Sequence, residues 1–287
     1  GLLPKPHFSA KNLSILRGEK KIGLVKNLKI FIGLGNLFSI NKISMKDLVF
    51  INTDFNVYLD DFIFFKNLLK TEPSENKIFI KKSNVFFKNK FDEVLFINKI
   101  DNSEFYYDFN NLQNILSSKN EVFNTPFKLI IKNDKFNKEI FTKFNSKKIR
   151  LTIDSETSYD NKTKNGLLEI LFVNKNTSLN YEIKKNSLNF LSKANKNSYD
   201  GQIDFKPFYF SANFNYEGIS SKNLLDEKSI LIDLINSEIF NNKNLSANLN
   251  FNIKNITNIN ELNDLKLKVF MEDGNIDFSD SIIMWKE

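Results

Sequence analysis

Residues 245–254 read Leu245-Ser246-Ala247-Asn248-Leu249-Asn250-Phe251-Asn252-Ile253-Lys254. Apolar and polar side chains alternate without a break, and successive side chains of a β-strand point to opposite faces. The stretch is therefore a strand with one greasy face and one wet face. The same period of two recurs at Phe208, Phe210, Ala212, Phe214 and Tyr216, at Leu265, Leu267, Val269 and Met271, and at Ile149, Leu151 and Ile153. Shorter runs follow it at 127–131, 168–172, 179–183 and 28–32. Turn-type residues punctuate the runs at Asn133-Asp134, Lys164-Asn165-Gly166, Asp200-Gly201 and Asp273-Gly274. The pattern predicts a mainly β protein, an antiparallel meander with a strand-and-turn spacing of about 8 to 14 residues.

Two segments depart from alternation. Residues 55–70 place Val57, Tyr58, Phe62, Phe65, Leu68 and Leu69 at helical spacing with Asp60 and Asp61 opposite. Residues 222–236 do the same with Leu224, Leu225, Ile230, Leu231, Leu234 and Ile235. Both predict amphipathic helices, and 111–119 predicts a loop or one helical turn, so two or three helices are expected. The stretch Thr71-Glu72-Pro73-Ser74-Glu75-Asn76 marks a boundary. The expected organisation is an N-terminal β-region ending in a helix over 1–75, an extended antiparallel sheet over 76–218, and a C-terminal helix plus strands over 219–287.

Composition closes several functional classes. The chain has no cysteine and one histidine, which excludes a disulfide framework, a thiol nucleophile and cysteine-ligated zinc. It also argues against a multi-histidine metal site and a Ser-His-Asp triad. His7 is expected in an exposed, unstructured terminal stretch. At 41% hydrophobic and 26% charged the 287 residues are of globular type, enough for one large domain or two smaller ones. The net charge of +7 comes almost wholly from lysines spread along the chain, with Arg17 and Arg150 the only arginines. Abundant Asn, Lys, Ile and Phe with scarce Ala is what A- and T-rich codons encode. Base and phosphate recognition leans on the arginine fork, so no nucleic-acid partner is expected. No window approaches the roughly 18 apolar residues of a membrane-spanning helix. The chain opens on Gly1 and is amphipathic from the start, as an internal piece of a longer protein would be.

No catalytic set, metal site or cofactor emerges from the motifs. Gly33-Leu34-Gly35 lacks a third glycine and a following helix, so a bend between strands is expected. Asp273-Gly274-Asn275-Ile276-Asp277 offers oxygen ligands at calcium-loop spacing. Its glycine is misplaced, and Met284 stands where a bidentate glutamate is needed, so a hairpin turn explains it. Asp60-Asp61 and Asp154/Glu156 read as solvated faces, and Asn-x-Ser/Thr triplets are too common in an Asn-rich chain to carry meaning.

What remains is a large alternating sheet with a Phe-rich face and few helices to cover it. Such a face is not left in water. It packs on a second sheet as a sandwich, coils into a closed barrel, or curls into a half-pipe whose wall meets an apolar ligand. The sandwich is the favourite on pattern alone, and pattern does not decide.

Both ends of the chain carry a family likeness. Pro4-Lys5-Pro6-His7-Phe8-Ser9-Ala10-Lys11-Asn12-Leu13-Ser14-Ile15 is followed by Val25-Lys26-Asn27-Leu28-Lys29-Ile30-Phe31-Ile32, then by the strand-like stretch 37–50. This order resembles the region just after the membrane anchor of AsmA-like proteins. The helix-then-strands order of 222–236, 245–256 and 265–276 is similar to that family's closing region. The resemblance implies an open, taco-like β-groove in the periplasm of a Gram-negative envelope. It implies an inner-membrane anchor outside these residues, and a non-enzymatic role in outer-membrane biogenesis and phospholipid transport. The residues expected to contact acyl chains are Phe208, Phe210, Phe214, Leu245, Leu249, Phe251, Ile253, Leu265, Leu267 and Val269. The alternative is a structural or adhesive β-protein whose apolar face is packed against itself.

Overall fold

A computed structural model of the chain describes residues 6–33, 45–58, 76–159, 164–172, 175–184, 186–193, 197–205, 208–220, 243–257 and 261–285. The chain forms two compact units, residues 1–147 and 148–287. The first holds β1 (His7–Arg17), β2 (Lys20–Ile32), β3 (Met45–Tyr58), β4 (Ile78–Lys88), β5 (Val94–Asp108), β6 (Gln113–Val122), β7 (Thr125–Asp134) and β8 (Glu139–Ser146). The second begins with β9 (Leu151–Tyr159), β10 (Lys164–Phe172), β11 (Lys175–Ile183), β12 (Ser187–Lys193), β13 (Asn197–Phe205) and β14 (Phe208–Tyr216). It ends with β15 (Ile219–Ser220), β16 (Ser246–Thr257), β17 (Leu262–Glu272), β18 (Asn275–Asp277) and β19 (Ile282–Trp285).

In the first unit the strands pair in chain order, each antiparallel to the next except β3 and β4, which run parallel with Leu48 opposite Ile78. In the second, β9 to β14 are antiparallel neighbours in order. There β14 pairs parallel with β16, and β15 continues along the same side of β16. Beyond β16 comes β17, whose outer edge carries both β18 and β19. The expected antiparallel meander is thus a mixed sheet with two parallel junctions. Parallel neighbours need a connection of a dozen or more residues, and the chain supplies 59–77 and 217–245 between them. Among the described residues neither unit closes on itself. Within each unit, every substantial backbone contact between elements joins hydrogen-bonded neighbours, so among the described residues neither unit is a closed barrel.

Helices are absent among the described residues. Phe55-Asn56-Val57-Tyr58, expected to begin a helix, instead completes β3, because Phe55 and Val57 continue the alternation that starts at Thr53. The rest of that segment, with Asp60 and Asp61, and all of 222–236 lie outside the described residues, as do Leu34 and Gly35. The expected loop at 111–119 is mostly β6, where Asn114, Leu116 and Ser118 share one face. His7 opens β1 opposite Phe31 with the ring centroids 5.2 Å apart, so its stretch is strand and not an unstructured end. Asp273 and Gly274 form the expected hairpin turn, both with positive φ (53° and 79°), the geometry that lets a two-residue loop match the strand twist.

Two expected turns are strand interior. Gly166 sits in β10 opposite Tyr181, and Gly201 in β13 opposite Phe190. A Cβ at Gly201 would stand 2.5 Å from the Phe190 ring and from the Ser211 carbonyl oxygen. One at Gly166 would stand 2.5 Å from the Tyr181 ring and collide with the Glu156 carbonyl. Both glycines are there to let a neighbouring aromatic lie flat across the sheet, a use of glycine that a turn signal conceals.

The first unit is creased. Asn12, Asn52 and Lys82 have left-handed φ values of 54°, 52° and 48° at matching levels of β1, β3 and β4, and the ladder slips between Ile100 and Asn102 in β5. On one side of this line the apolar face is built from even-numbered residues, the row Ala10, Leu28, Phe50 and Ile80. On the other side it is built from odd ones, the row Leu13, Val25 and Thr53. An irregular residue inserted in a strand shifts which parity faces inward and bends the strand. Small side chains fill the crease: Val25, Thr53 and Ser83 are 1%, 0% and 2% exposed. The Thr53 amide donates to Ser83 Oγ at 3.0 Å, which in turn donates to the Lys81 carbonyl at 2.8 Å.

Candidate functional site

The register of the second unit turns the alternation of single strands into a continuous apolar face. Four rows cross it. They are Ile203–Phe210–Ala247–Met271, Gly201–Ala212–Leu249–Val269, Tyr199–Phe214–Phe251–Leu267 and Asn197–Tyr216–Ile253–Leu265. Phe210, Phe214, Leu249, Phe251, Ile253, Leu265, Leu267 and Val269, chosen from the sequence, are thereby brought onto one face of β14, β16 and β17. Phe208 lies on the same face at the start of β14, opposite Phe205, and is exposed. Leu245 is half-buried and stands one residue before β16.

Sequence reasoning missed the continuation of this face toward β9. Leu168 and Leu179 pair there, as do Tyr181 and Phe190. Their alternation was legible, but nothing in single strands says which runs lie side by side. It also missed the first unit's equivalent row, Phe8–Ile30–Leu48–Ile78–Phe105–Leu116–Ile131. The parity switch at the crease breaks that signal within each strand.

Aromatic contacts fix the second unit's face. Phe214 and Phe251 stack with centroids 4.8 Å apart at 12°, Tyr199 meets Phe214 at 6.0 Å, and Phe190 meets Phe210 at 6.2 Å. Such pairs contribute about 0.5–1.5 kcal/mol each beyond their area. Two polar handles interrupt the grease. The Tyr181 hydroxyl is hydrogen-bonded to Ser155 Oγ at 2.6 Å and to Thr157 Oγ1. Tyr199 and Tyr216 meet edge-on at 5.5 Å and share a hydrogen bond between their hydroxyls.

Burial, with the neighbouring Tyr199, pushes the Tyr216 phenol up to about 12, and burial also raises Tyr199. A folded-state pKa above the unfolded value of about 10 means that the folded chain keeps a proton the unfolded chain has lost. This contribution to stability is complete below pH 10 and is lost as pH rises toward 12. Denaturation followed across that window should show stability falling with pH, and Tyr216→Phe should flatten the fall.

Across β13, β14 and β16 the opposite face is largely polar and tied together. Asn252 donates to Asn215 at 2.8 Å and Asn215 to Ser198 at 3.1 Å. Asn250 donates to Asn213 at 3.1 Å, and Asn213 to Asp200 at 2.8 Å. Asp154 and Glu156 lie on the polar face of β9, opposite Glu169 and Leu167.

The apolar face is open among the described residues. Of the phenylalanines whose burial is described, not one is buried; the buried apolar side chains among those residues are aliphatic or Ala and Met, with Tyr181 the one aromatic. A sheet packed on a second layer buries its large aromatics first, because they remove the most area from water. No family model matches the chain, and no curated protein matches it.

Proposed function

We propose that this chain is the β-groove part of an AsmA-like envelope protein, carrying phospholipid acyl chains along the apolar face of its sheet. The observation that carries the reading is the absence of any buried phenylalanine among those whose burial is described, on a face that rows of Phe, Leu and Ile make continuous. An acyl chain laid on half-exposed Phe and Leu side chains removes apolar area from water on both partners, at about 25 cal/mol per Å². It asks for no charge and no hydrogen bond, which fits the aliphatic and aromatic lining. The order of segments at the two ends of the chain supports the family reading. That reading carries with it a periplasmic location, attachment to the inner membrane by a segment outside these residues, and a part in outer-membrane biogenesis. The chain would hold lipid and transform nothing.

Native mass spectrometry of protein purified from a Gram-negative envelope tests this. The expected spectrum shows the protein with one or more phospholipid masses that dissociate on collisional heating. A bare protein mass that also fails to bind an apolar dye would replace the reading with a self-packed structural or adhesive β-protein.

A further inference from the structure

The polar face of the second unit carries a second kind of site. A shallow trough of about 440 Å³ lies across β12, β13, β14 and β16, lined on this face by Asn189, Gln202, Ser211 and Asn248 with Asn213 and Asn250 beside them. The first four are register partners in one straight row: Asn189 opposite Gln202, Gln202 opposite Ser211, Ser211 opposite Asn248. The row does not stop there. Asn248 stands opposite Phe270, which is 41% exposed on the same face.

The neighbouring row is braced by the Asn250–Asn213–Asp200 hydrogen bonds. By contrast, the side chains of Asn189, Ser211 and Asn248 have no hydrogen-bond partner among the described residues. Gln202 spends its amide on Asp204 at 2.6 Å and keeps its carbonyl oxygen. The trough therefore offers amide and hydroxyl groups that both donate and accept, and the row that lines it runs on to the Phe270 ring on β17.

The geometry points to an extended β-1,4-linked hexopyranose chain lying across the strands. Adjacent strands are about 4.8 Å apart, so the row presents one polar side chain per strand at close to the repeat of such a glycan. Sugar hydroxyls donate and accept, matching Asn and Ser. The apolar C–H face of a pyranose packs on an exposed ring, which gives Phe270 a partner that water does not. An α-1,4-linked chain curls into a helix and leaves this spacing. The site is independent of the lipid-bearing face, since its side chains point to the other side of the sheet.

Titration of the full chain with chitohexaose, cellohexaose and maltohexaose, followed by saturation-transfer NMR, tests the assignment. One or both β-1,4-linked hexaoses should bind, with maltohexaose at least about tenfold weaker. Phe270→Ala and Asn248→Ala should each weaken binding by about three- to tenfold, the effect of losing one stacking or hydrogen-bonding partner. Both substitutions lie on an exposed or half-exposed face, and circular dichroism checks that each variant keeps its sheet. Should a variant fail to fold, the hexaose comparison on the unaltered chain decides by itself. Absence of binding by both β-1,4-linked hexaoses, equal binding of maltohexaose, or undiminished binding by a folded Phe270→Ala variant would overturn the assignment.

Discussion

Phe251→Asp should strip the protein of co-purifying phospholipid, lowering the lipid-to-protein ratio at least about tenfold, while Asn252→Asp leaves it unchanged. Phe251 sits in the row Tyr199–Phe214–Phe251–Leu267, stacked on Phe214 at 4.8 Å. A carboxylate placed there faces whatever covers the apolar side, and bringing an acyl chain over an ionised group strips its water without supplying a partner. The carboxylate at 252 projects instead to the polar side, beside Asn215 and the exposed lysines of β17. The protein itself should tolerate both changes. Phe251 is only half-buried, so its loss forfeits the stack and part of its packing area, about 1–3 kcal/mol. Native mass spectrometry gives the lipid ratio, and urea denaturation shows whether the variant remains folded.

Gly201→Ala should cost about 2–3 kcal/mol of stability in the second unit, a large effect for one methyl group. The new Cβ would meet the Phe190 ring at 2.5 Å and the Ser211 carbonyl oxygen at 2.5 Å. The ring can swing aside; the carbonyl belongs to the β13–β14 ladder and cannot move without disturbing it. Pairing Gly201→Ala with Phe190→Ala should therefore recover only part of the loss. Urea midpoints for the two single variants and the double variant measure that coupling, which contacting residues show and distant ones do not. Full additivity of the two changes would mean that Phe190 does not lean on Gly201.

These two residues also show where a sequence is readable and where it is not. At Phe251 the alternation of 245–254 states both the strand and the side chain's face, since a period of two has one structural meaning over ten residues. At Gly201 the pair Asp200-Gly201 looks like a turn, because the permissive backbone of glycine is commonly used for one. Here its missing side chain is what matters, and only the neighbour across the ladder reveals that. Asn12, Asn52 and Lys82 hide more. Each inserts a left-handed residue that flips the parity of the apolar face, so β1, β3 and β4 read as two short runs out of phase where the chain has one long strand. A phase change at an Asn or Lys inside an alternating run was the available signal for the crease. At 55–58 the opposite error arises: Val57 and Tyr58 fit a helical template once joined to the apolar residues after them, yet β3 continues through them. Neither parallel junction was legible. Local pattern tells which residues are strand, and pairing order is set by contacts far apart in sequence.

The openness of the apolar face is the claim on which the functional reading stands, and side-specific photo-crosslinking tests it most directly. A photoreactive phenylalanine analogue placed at position 249 projects from the Gly201–Ala212–Leu249–Val269 row; placed at 250, it projects from the polar side, beside Asn213 and Lys268. Illumination in intact envelopes should yield a phospholipid adduct at 249 and none at 250. An absence of lipid adduct at 249, or equal adducts at both positions, would contradict an open acyl-bearing face.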